Sequence, residues 1–328
     1  MSGDHASSAG VTGADKFNDY VLPFQLEASG ARGRRKRHGP VVDEILGRHA
    51  YPEQVLLLLG EAVTLTAMLG AALKFEGKFI LQTQSNGPVS FLVVHYSSPG
   101  HVRGYASYNR DDLVRSANGA GASRALLGDG HLAMTIDPGA GMERYQGIVA
   151  LAGNTLVDAA HEYFDQSEQI PTFIRIAVAR HYAAGGGANS GHWTWRAGGL
   201  MVQKLTREGG RQQSDDFSPQ AAGVDDDGWR RAQALASTIE DHELLDPTLS
   251  PERLLYRLFH EEEVRAFDPA PLDSQCNCSR ERVENMLDQF SAEELDGMGE
   301  DGVITVTCEF CNTHYKFDAG RFEKAASD

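Results

Sequence analysis

The sequence predicts an α+β protein in three parts: a large N-terminal domain in which meander β-sheets pack with helices, a helical linker, and a small C-terminal domain. Three observations lead to this prediction. Apolar segments change from helical spacing to strict alternation in the first two thirds of the chain. A polar, acidic stretch then precedes two amphipathic helices, and all four cysteines of the 328 residues lie near the C-terminus.

The segment PEQVLLLLGEAVTLTAMLGAAL, residues 52 to 73, predicts a helix almost long enough to span a bilayer. Glu61, Thr64 and Thr66 lie in its middle, and a central carboxylate costs roughly 2.5 to 3.5 kcal/mol on insertion scales. We therefore expect a buried core helix rather than a membrane span. Pro52 suits the first turn of such a helix.

Alternating, β-branched runs follow this helix, separated by turn sequences at residues 86–88 and 98–100. They predict consecutive strands joined by tight turns, that is, a meander sheet. The pattern repeats around residues 137–139, and a helix with Asn154 as its predicted cap comes next. The apolar face of that helix is predicted to contain Leu156, Ala159, Ala160, Tyr163 and Phe164. Two more predicted strands complete the part that ends at residue 205.

The stretch REGGRQQSDDFSPQAAGVDDDGW is polar and acidic, which is typical of a linker. The first helix after it has an apolar stripe formed by Trp229, Ala232, Leu235 and Ile239. The second is predicted from Ser250, its cap, to Phe267, with an apolar face formed by Leu254, Leu255, Leu258 and Phe259. The glutamates at 261–263 are expected to repel one another. This helix therefore needs a partner surface, and a switch could act there.

The formal charge of −16 argues against a general nucleic-acid role, because an acidic surface repels phosphate backbones. Residues 1–16 form a small, polar arm without a basic region followed by an apolar run, so we expect no export signal and a cytoplasmic protein. The basic run ARGRRKRH at residues 31–38 is expected to be a solvated or ion-paired strand face. A nucleic-acid patch or an address signal is the alternative for that run.

The sequence shows no pattern of a conventional active site. The glycine run AAGGGANSGHW lacks the Gly-Lys-Ser/Thr ending of a phosphate loop, and a hairpin loop is expected there. A Gly-x-Ser-x-Gly motif and a His-Glu-x-x-His helix are also missing. We therefore expect a protein that is not an enzyme.

The four cysteines form two close pairs, which match tetrahedral Zn²⁺ coordination. In a reducing compartment, clustered cysteines are more often metal ligands or reactive thiols than structural disulfides. The sequence therefore predicts a small C-terminal zinc-binding domain with one Zn²⁺ held by Cys276, Cys278, Cys308 and Cys311. His314 is an alternative ligand, although a surface strand position is its expected role.

The C-terminal segment is poor in large apolar residues, among which are Val283, Leu287, Phe290, Ile304, Val306 and Phe317. The metal is therefore expected to provide its folding free energy, and structural zinc typically supplies about 10 to 16 kcal/mol. The Cys-x-Cys spacing adds a second property, because two sulfurs so close in sequence can form a small, labile disulfide. Arg280, Arg282 and Lys316 lie near enough in sequence to offset thiolate charge. A redox switch is a hypothesis that this pattern supports.

The segments Cys276-Asn277-Cys278-Ser279 and Cys308-Glu309-Phe310-Cys311 resemble the zinc centre of the Hsp33 redox-regulated chaperones. Further similar segments are QSNGPVSFLVV with VRGYA (84 to 106), ERYQGIV (143 to 149), YFDQSEQIPT (163 to 172), WRAGGL (195 to 200) and RLFHEEEVRAF (257 to 267). The resemblance therefore covers nearly the whole chain. The sequence departs from the family in the arm before Phe17, in the long acidic linker, and at Arg35-Lys36, where the family strand is usually more apolar.

The resemblance implies an ATP-independent holdase that is inactive when reduced and zinc-bound, and that protects unfolding proteins from aggregation under oxidative stress. Oxidation would form Cys276–Cys278 and Cys308–Cys311 disulfides, release zinc and unfold the linker. The implied partners are unfolded or partly unfolded client proteins and a second copy of the chain when oxidised, with no nucleic acid and no membrane. The expected parts are a flexible arm (1–16), an α+β chaperone domain (17–205), a metastable linker (206–267) and a redox-sensing zinc domain (268–328).

Two other functional classes stay open at this point. A zinc-ribbon module that binds nucleic acid would need a basic face near the cysteines, whereas the tail contains EELDGMGED. A thiol oxidoreductase would place its Cys-x-x-Cys between a strand and a helix. The segment VITVTCEFCNTHYKF instead predicts a strand, a knuckle and a strand.

Overall fold

The computed structural model describes residues 19–73, 76–116, 126–139, 141–151, 155–183, 191–205, 224–300 and 302–322. Its helices are α1 Pro40–Gly47, α2 Glu53–Gly70, α3 Arg110–Ser116, α4 Leu156–Tyr163, α5 Val224–Ser237, α6 Asp241–Leu245, α7 Pro251–Phe259, α8 Arg280–Leu287 and α9 Ala292–Met298. Its strands are β1 Tyr20–Leu26, β2 Ala31–His38, β3 Lys78–Ser85, β4 Val89–Ser97, β5 His101–Tyr108, β6 Gly130–Asp137, β7 Tyr145–Ala150, β8 Thr172–Ala183, β9 His192–Lys204, β10 Val264–Ala266, β11 Ala270–Pro271, β12 Gly299–Glu300, β13 Val303–Thr307 and β14 His314–Asp318. The predicted α+β class is confirmed. The predicted N-terminal arm, most of the glycine run and most of the acidic stretch lie outside the described residues.

The first sheet has six strands in the order β10-β1-β2-β9-β8, with β11 also paired to β1. Its central strand β2 carries the basic run 31–38, whose side chains alternate between the two faces. On the inner face, Lys36 is fully buried and its Nζ donates to the Val63 carbonyl at 3.0 Å. On the outer face, Arg35 is fully buried and its Nη2 donates to the Leu244 carbonyl at 2.9 Å. The expected solvated or ion-paired role is therefore wrong for both residues, because both faces of this strand are covered.

The second sheet is antiparallel in the order β5-β4-β3-β6-β7. The predicted meander is confirmed for the consecutive strands β3, β4 and β5, and the hairpin β6–β7 pairs with the other edge of β3. Helix α2 lies between the two sheets, in contact with β3, β4 and β5 of one and with β2, β8 and β9 of the other. Within the described ranges it is the one helix long and apolar enough to cross a membrane, and 72% of it is buried inside the fold. Its predicted role as a core helix is confirmed.

Helix α4 has Thr155 as its N-cap, and the predicted cap Asn154 lies outside the described residues. The Thr155 hydroxyl accepts from the Asp158 amide, and the Asp158 carboxylate accepts from the Thr155 amide, both at 3.1 Å. This capping box satisfies two amides of the first turn reciprocally. The predicted apolar face is confirmed, because Leu156, Ala159, Ala160, Tyr163 and Phe164 are buried.

Helices α5, α6 and α7 cover the outer face of the first sheet. Helix α5 begins at Val224, inside the stretch predicted as linker. The predicted apolar positions are confirmed, since the core beneath these helices contains Ala232, Ile239, Leu254, Leu255, Leu258 and Phe259 together with Leu22, Phe24, Leu26, Leu200 and Val202 of the sheet. Trp229 and Leu235 pack against it partly buried. The linker helices thus share one core with the sheet.

Helix α7 is shorter than predicted, because it ends at Phe259 and Glu263 adopts a left-handed conformation with φ 51°. This turn points Glu262 inward, where its fully buried carboxylate accepts from Arg231 Nη2 at 3.0 Å and from the Ser29 hydroxyl. The hydrogen bond from Arg231 lowers the pKa of Glu262, although burial opposes it. The predicted repulsion among the three glutamates is therefore wrong for Glu262, which forms an ion pair.

The third sheet, in the order β12-β13-β14, belongs to the C-terminal part. The predicted strand, knuckle and strand are confirmed, with Thr307 opposite His314 where the knuckle begins and ends. Its core is small, as predicted, and contains Leu287, Leu295, Ile304, Phe317 and Phe322. Phe290, also named among the apolar residues of this part, is 37% exposed and is not in this core. Between the linker helices and this sheet, β10 and β11 both pair with β1, so the chain passes back along the first sheet.

We predict that Leu59→Ala, in the fully buried part of α2, lowers the free energy of unfolding by about 2 to 5 kcal/mol, because it leaves a cavity between two sheets. Val114→Ala in α3 is the control, since Val114 is 65% exposed and the expected change is within about 0.5 kcal/mol. Urea unfolding of the two variants checks this. Equal midpoints would contradict the position of α2 between the sheets.

Candidate metal centre

Cys276 and Cys278 lie in the segment that leads from β11 into α8. The residue after them, Ser279, caps α8 by accepting from the Arg282 amide at 3.2 Å. The Arg282 guanidinium in turn donates to the Asn277 carbonyl, between the two cysteines. The start of the helix therefore fixes the backbone that carries this pair.

Cys308 and Cys311 form the knuckle that connects β13 to β14. The Cys308 amide donates to the Thr313 carbonyl at 2.9 Å, and the Asn312 amide donates to the Cys308 carbonyl at 2.8 Å. Asn312 has a φ of 58°, in the left-handed region that asparagine tolerates better than most residues. These bonds turn both thiols of the pair toward the same point.

The four sulfur atoms lie within 4.8 Å of one another. The Sγ atoms of Cys276 and Cys308 are 3.8 Å apart, and those of Cys278 and Cys311 are 3.2 Å apart. A tetrahedral site with metal–sulfur bonds of about 2.3 Å separates its sulfurs by about 3.8 Å, so the donor set fits a thiolate-bound zinc-type ion. His314 is outside this group: it is exposed on β14 and hydrogen-bonds to Thr307, which confirms its predicted surface role.

The thiols differ in acidity. Burial raises the pKa of Cys278 to about 12 and also raises the pKa of Cys308. At Cys311 burial acts in the same direction, but hydrogen bonding with Thr313 and the neighbouring thiols outweighs it and lowers the pKa to about 6. Tyr315 donates its hydroxyl to Cys278 Sγ at 3.2 Å, which favours the thiolate there. Cys311 is thus the most acidic of these three thiols.

Among the described contacts, none joins the basic residues predicted to offset thiolate charge, Arg280, Arg282 and Lys316, to a sulfur atom. The Arg280 guanidinium stacks 4.4 Å from the centre of the Phe317 ring and donates to the Lys316 carbonyl at 2.8 Å. The cation that reaches a sulfur is Arg103 of β5, whose Nη1 lies 4.0 Å from Cys276 Sγ. Sequence reasoning missed Arg103, because 173 residues separate it from that cysteine.

The knuckle docks against the second sheet through Phe310, a large apolar residue between two cysteines. Its ring centre lies 4.1 Å from the Arg103 guanidinium and 5.0 Å from the His95 ring centre. Burial lowers the pKa of His95 to about 4, so its ring is neutral at neutral pH. Its Nδ1 therefore accepts a hydrogen bond from Arg103 Nη2 at 3.0 Å. The knuckle tip is therefore held by a cation–π contact and a ring contact on β4 and β5.

Polar contacts complete this interface. Asn312 donates its side-chain amide to the Arg48 carbonyl at 3.0 Å. The Val102 amide donates to the Asp273 carbonyl at 2.8 Å, and the Asp273 carboxylate contacts His101 Nδ1 at 2.6 Å. The cysteine centre is thus attached to the N-terminal sheets on both sides. Apart from the aromatic residue at the knuckle tip, the sequence carries no signal of this attachment.

The Hsp33 protein family model matches residues 19–318 of the chain. A 33 kDa chaperonin of Caulobacter vibrioides is 44% identical over 306 residues, which cover 92% of this chain and 95% of the relative. A 33 kDa chaperonin of Pseudomonas paraeruginosa is 39% identical over 306 residues, covering 92% of both chains. One of Shewanella loihica is 35% identical over 302 residues, covering 92% of this chain and 93% of the relative.

The crystal structure of a 33 kDa chaperonin (heat shock protein 33 homolog) from Thermotoga maritima superposes with a TM-score of 0.72. The match covers 94% of this chain and 97% of that chain at 22% identity, and it shows that the two share a fold. The family model and the relatives together cover nearly all described elements, including the cysteine centre. The chain therefore belongs to the Hsp33 family, whose members are molecular chaperones and not enzymes.

Proposed function

We propose that this chaperone is an ATP-independent holdase of the cytoplasm that is switched on by oxidation of a zinc centre with four cysteine ligands. The observation that supports this most directly is the group of four sulfurs within 4.8 Å of one another, in a part of the chain with a small core. Membership of a chaperone family implies that unfolded proteins are its clients. The oxidised form is proposed to be a homodimer, and the domain boundaries are proposed at residues 16, 205 and 267.

In the reduced form, Cys276, Cys278, Cys308 and Cys311 would hold one Zn²⁺. The bound ion would supply folding free energy that the small core lacks, of about 10 to 16 kcal/mol for structural zinc. The chain's own residues define the geometry: Ser279 and Asn312 fix the two backbones, and Tyr315 hydrogen-bonds to one sulfur. Arg103 adds a positive charge beside another sulfur.

Oxidation would remove these ligands two at a time. Cys276 and Cys278, as thiolates, give two electrons to hydrogen peroxide, which takes up two protons and leaves as two molecules of water, while one S–S bond forms. Cys308 and Cys311 do the same with a second peroxide. The distances do not select this pairing, since Cys278 and Cys311 lie 3.2 Å apart. Loop length favours it, because the short loops close at a smaller entropic cost once the knuckle loosens.

The change would reach the linker through the contacts around the knuckle. When the knuckle loses its shape, Phe310 leaves Arg103, and the segment at Asp273 loses its hold on β5. The chain that precedes Asp273 is then no longer held at its C-terminal end. This part contains β10, β11 and helices α5 to α7. Undocking uncovers an apolar face on the first sheet, which contains Leu22, Phe24, Leu26, Leu200 and Val202. Exposed apolar patches of this kind bind unfolded chains.

We predict that the peroxide-oxidised protein suppresses aggregation of a heat-unfolded client without ATP, whereas the reduced, zinc-loaded protein does not. Peptide mapping of the active sample is expected to give mainly Cys276–Cys278 and Cys308–Cys311 disulfides. A dominant link between the two pairs would contradict the local pairing. Equal activity of the reduced and oxidised forms would contradict the redox switch itself.

We predict that Cys311→Ser abolishes tight zinc binding, because an alcohol replaces a thiol whose pKa is lower than those of Cys278 and Cys308. His314→Ala is the matched control three positions away, and it is expected to keep one Zn²⁺ per chain because His314 is not in the sulfur cluster. Zinc content after competition with a chelator checks both variants. Retention of zinc by Cys311→Ser would show that the four thiols do not act together.

We predict that Gly198→Ala gives partial chaperone activity in the reduced protein. A Cβ at Gly198 would lie 2.2 Å from the Leu244 carbonyl oxygen, so α6 must move off the sheet. Gly47→Ala is the control, because no atom lies within 4 Å of the added carbon. The readouts are reduced-state aggregation assays and amide exchange over residues 224–267, with zinc content confirming an intact centre. A silent variant with faster exchange in these helices would contradict linker undocking as the activating step.

A further inference from the structure

The outer face of the first sheet has a basic half beside its apolar half. Arg35 on β2 and Arg175 on β8 both lie opposite Leu200 of β9, so their side chains share the face of that residue. Arg37 lies opposite Gly198, and Arg196 is two residues from Gly198 on the same strand, so both share this face as well. We call Arg35, Arg37, Arg175 and Arg196 the guanidinium row.

The guanidinium row is covered by one short linker segment, residues 240–247, with the sequence EDHELLDP. Arg35 Nη2 donates to the Leu244 carbonyl at 2.9 Å, and Arg37 Nη2 donates to the Pro247 carbonyl. Arg175 pairs with the Asp241 carboxylate at 2.9 Å. Each of these arginines thus contacts an oxygen atom of the segment.

The fourth arginine, Arg196, joins the row by its place on the strand. Burial and the charge of Arg37 lower its pKa, whereas the carboxylates of Asp19, outside the segment, and of Asp246, within it, act in the opposite direction. The segment is anchored by Leu244, which is buried in the core shared with the sheet. Its backbone comes so close at Gly198 that the strand leaves no room for a side chain. The segment therefore occupies the row as an acidic peptide with an aliphatic anchor would.

The resident segment does not satisfy the row completely. Arg35 is 1% exposed, and among the described atoms its Nε and Nη1 have no hydrogen-bond partner. A guanidinium binds a carboxylate best through two parallel hydrogen bonds, whereas the Arg35 guanidinium donates a single hydrogen bond to a carbonyl oxygen. A ligand that brings a carboxylate to this position would therefore make bonds that the linker segment does not make.

We propose that the uncovered guanidinium row, together with the adjoining apolar half, binds client segments in which carboxylates flank a leucine-like side chain. This proposal rests on the proposed function, since undocking of the linker is what uncovers the row. The linker segment 240–247 acts as the resident mimic of such a client. The protein thereby selects acidic, aliphatic stretches of unfolded chains, even though its own net charge is −16.

A peptide of residues 239–249 tests the proposal on the oxidised full-length protein. Fluorescence anisotropy compares it with two variant peptides, each of which carries two fewer negative charges than the parent. In the first, Asp241→Asn removes the carboxylate that pairs with Arg175, and Asp246→Asn removes one that accepts from Thr248 and whose charge acts on Arg37 and Arg196. In the second, Glu240→Gln and Glu243→Gln remove carboxylates that pair with His242 and Arg257 and that form the capping box of α6. We expect the first peptide to bind about tenfold more weakly than the parent and the second to bind about equally.

Protein variants identify the row as the site. Arg37→Gln with Arg175→Gln is expected to bring the parent and the first peptide within about twofold of each other, because the carboxylates lose their partners. Arg110→Gln with Arg144→Gln removes the same charge from exposed positions and is expected to keep the tenfold ratio. Oxidised protein has an undocked linker, so a variant that only loosens docking would not change this ratio.

Equal binding of the parent and first peptides, or a ratio that survives loss of Arg37 and Arg175, would overturn the proposal. So would binding of a single-stranded oligonucleotide as tightly as the parent peptide, with the same dependence on these arginines, since the row would then accept any anion. Aggregation assays on the same oxidised samples keep the two ideas apart. If the oxidised protein suppresses client aggregation but does not distinguish the peptides, the role of the guanidinium row is refuted and the holdase function stands. If it does not suppress aggregation, the holdase function itself is refuted.

Discussion

Burial of the first sheet on both faces is the constraint on which the rest of this structure depends. Strand β2 is central, its inner face packs on α2, and within the described residues its outer face is covered by the linker helices. Burying each of the large apolar side chains Leu254, Leu258 and Phe259 is worth roughly 1.5 to 3 kcal/mol. The linker is therefore held by the same hydrophobic core that its removal would expose.

The cysteine centre is connected to this covered face by the chain and by side-chain contacts. The segment β10 to β11 pairs with β1, and Asp273 hydrogen-bonds to β5 just before the first cysteine. At the other end, Phe310 packs on Arg103 and His95. A small C-terminal core can be coupled to large N-terminal sheets in this way, because the knuckle tip is both part of the thiol site and part of the interface.

Polar groups are buried where the linker helices dock on the first sheet. Glu262 is buried and pairs with the half-exposed Arg231, and such a pair contributes little net stability once the desolvation of the carboxylate is counted. Arg35 is buried with one hydrogen bond, and burial lowers its pKa to about 10, so it stays charged at neutral pH while losing hydration. A covered face that contains such groups gains less from burial than a purely apolar one.

The sequence by itself determined the fold class, the core helix, the meander and the sulfur cluster, because these depend on local patterns: periodicity, turn residues and the spacing of Cys276, Cys278, Cys308 and Cys311. Only the tertiary structure decided the burial of Arg35 and Lys36, the inward position of Glu262 and the contact of Arg103 with the cysteine centre. The physical reason is that each of these depends on a partner that is distant in sequence. A basic run has the same pattern in solvent and beneath a linker helix, and packing alone distinguishes the two.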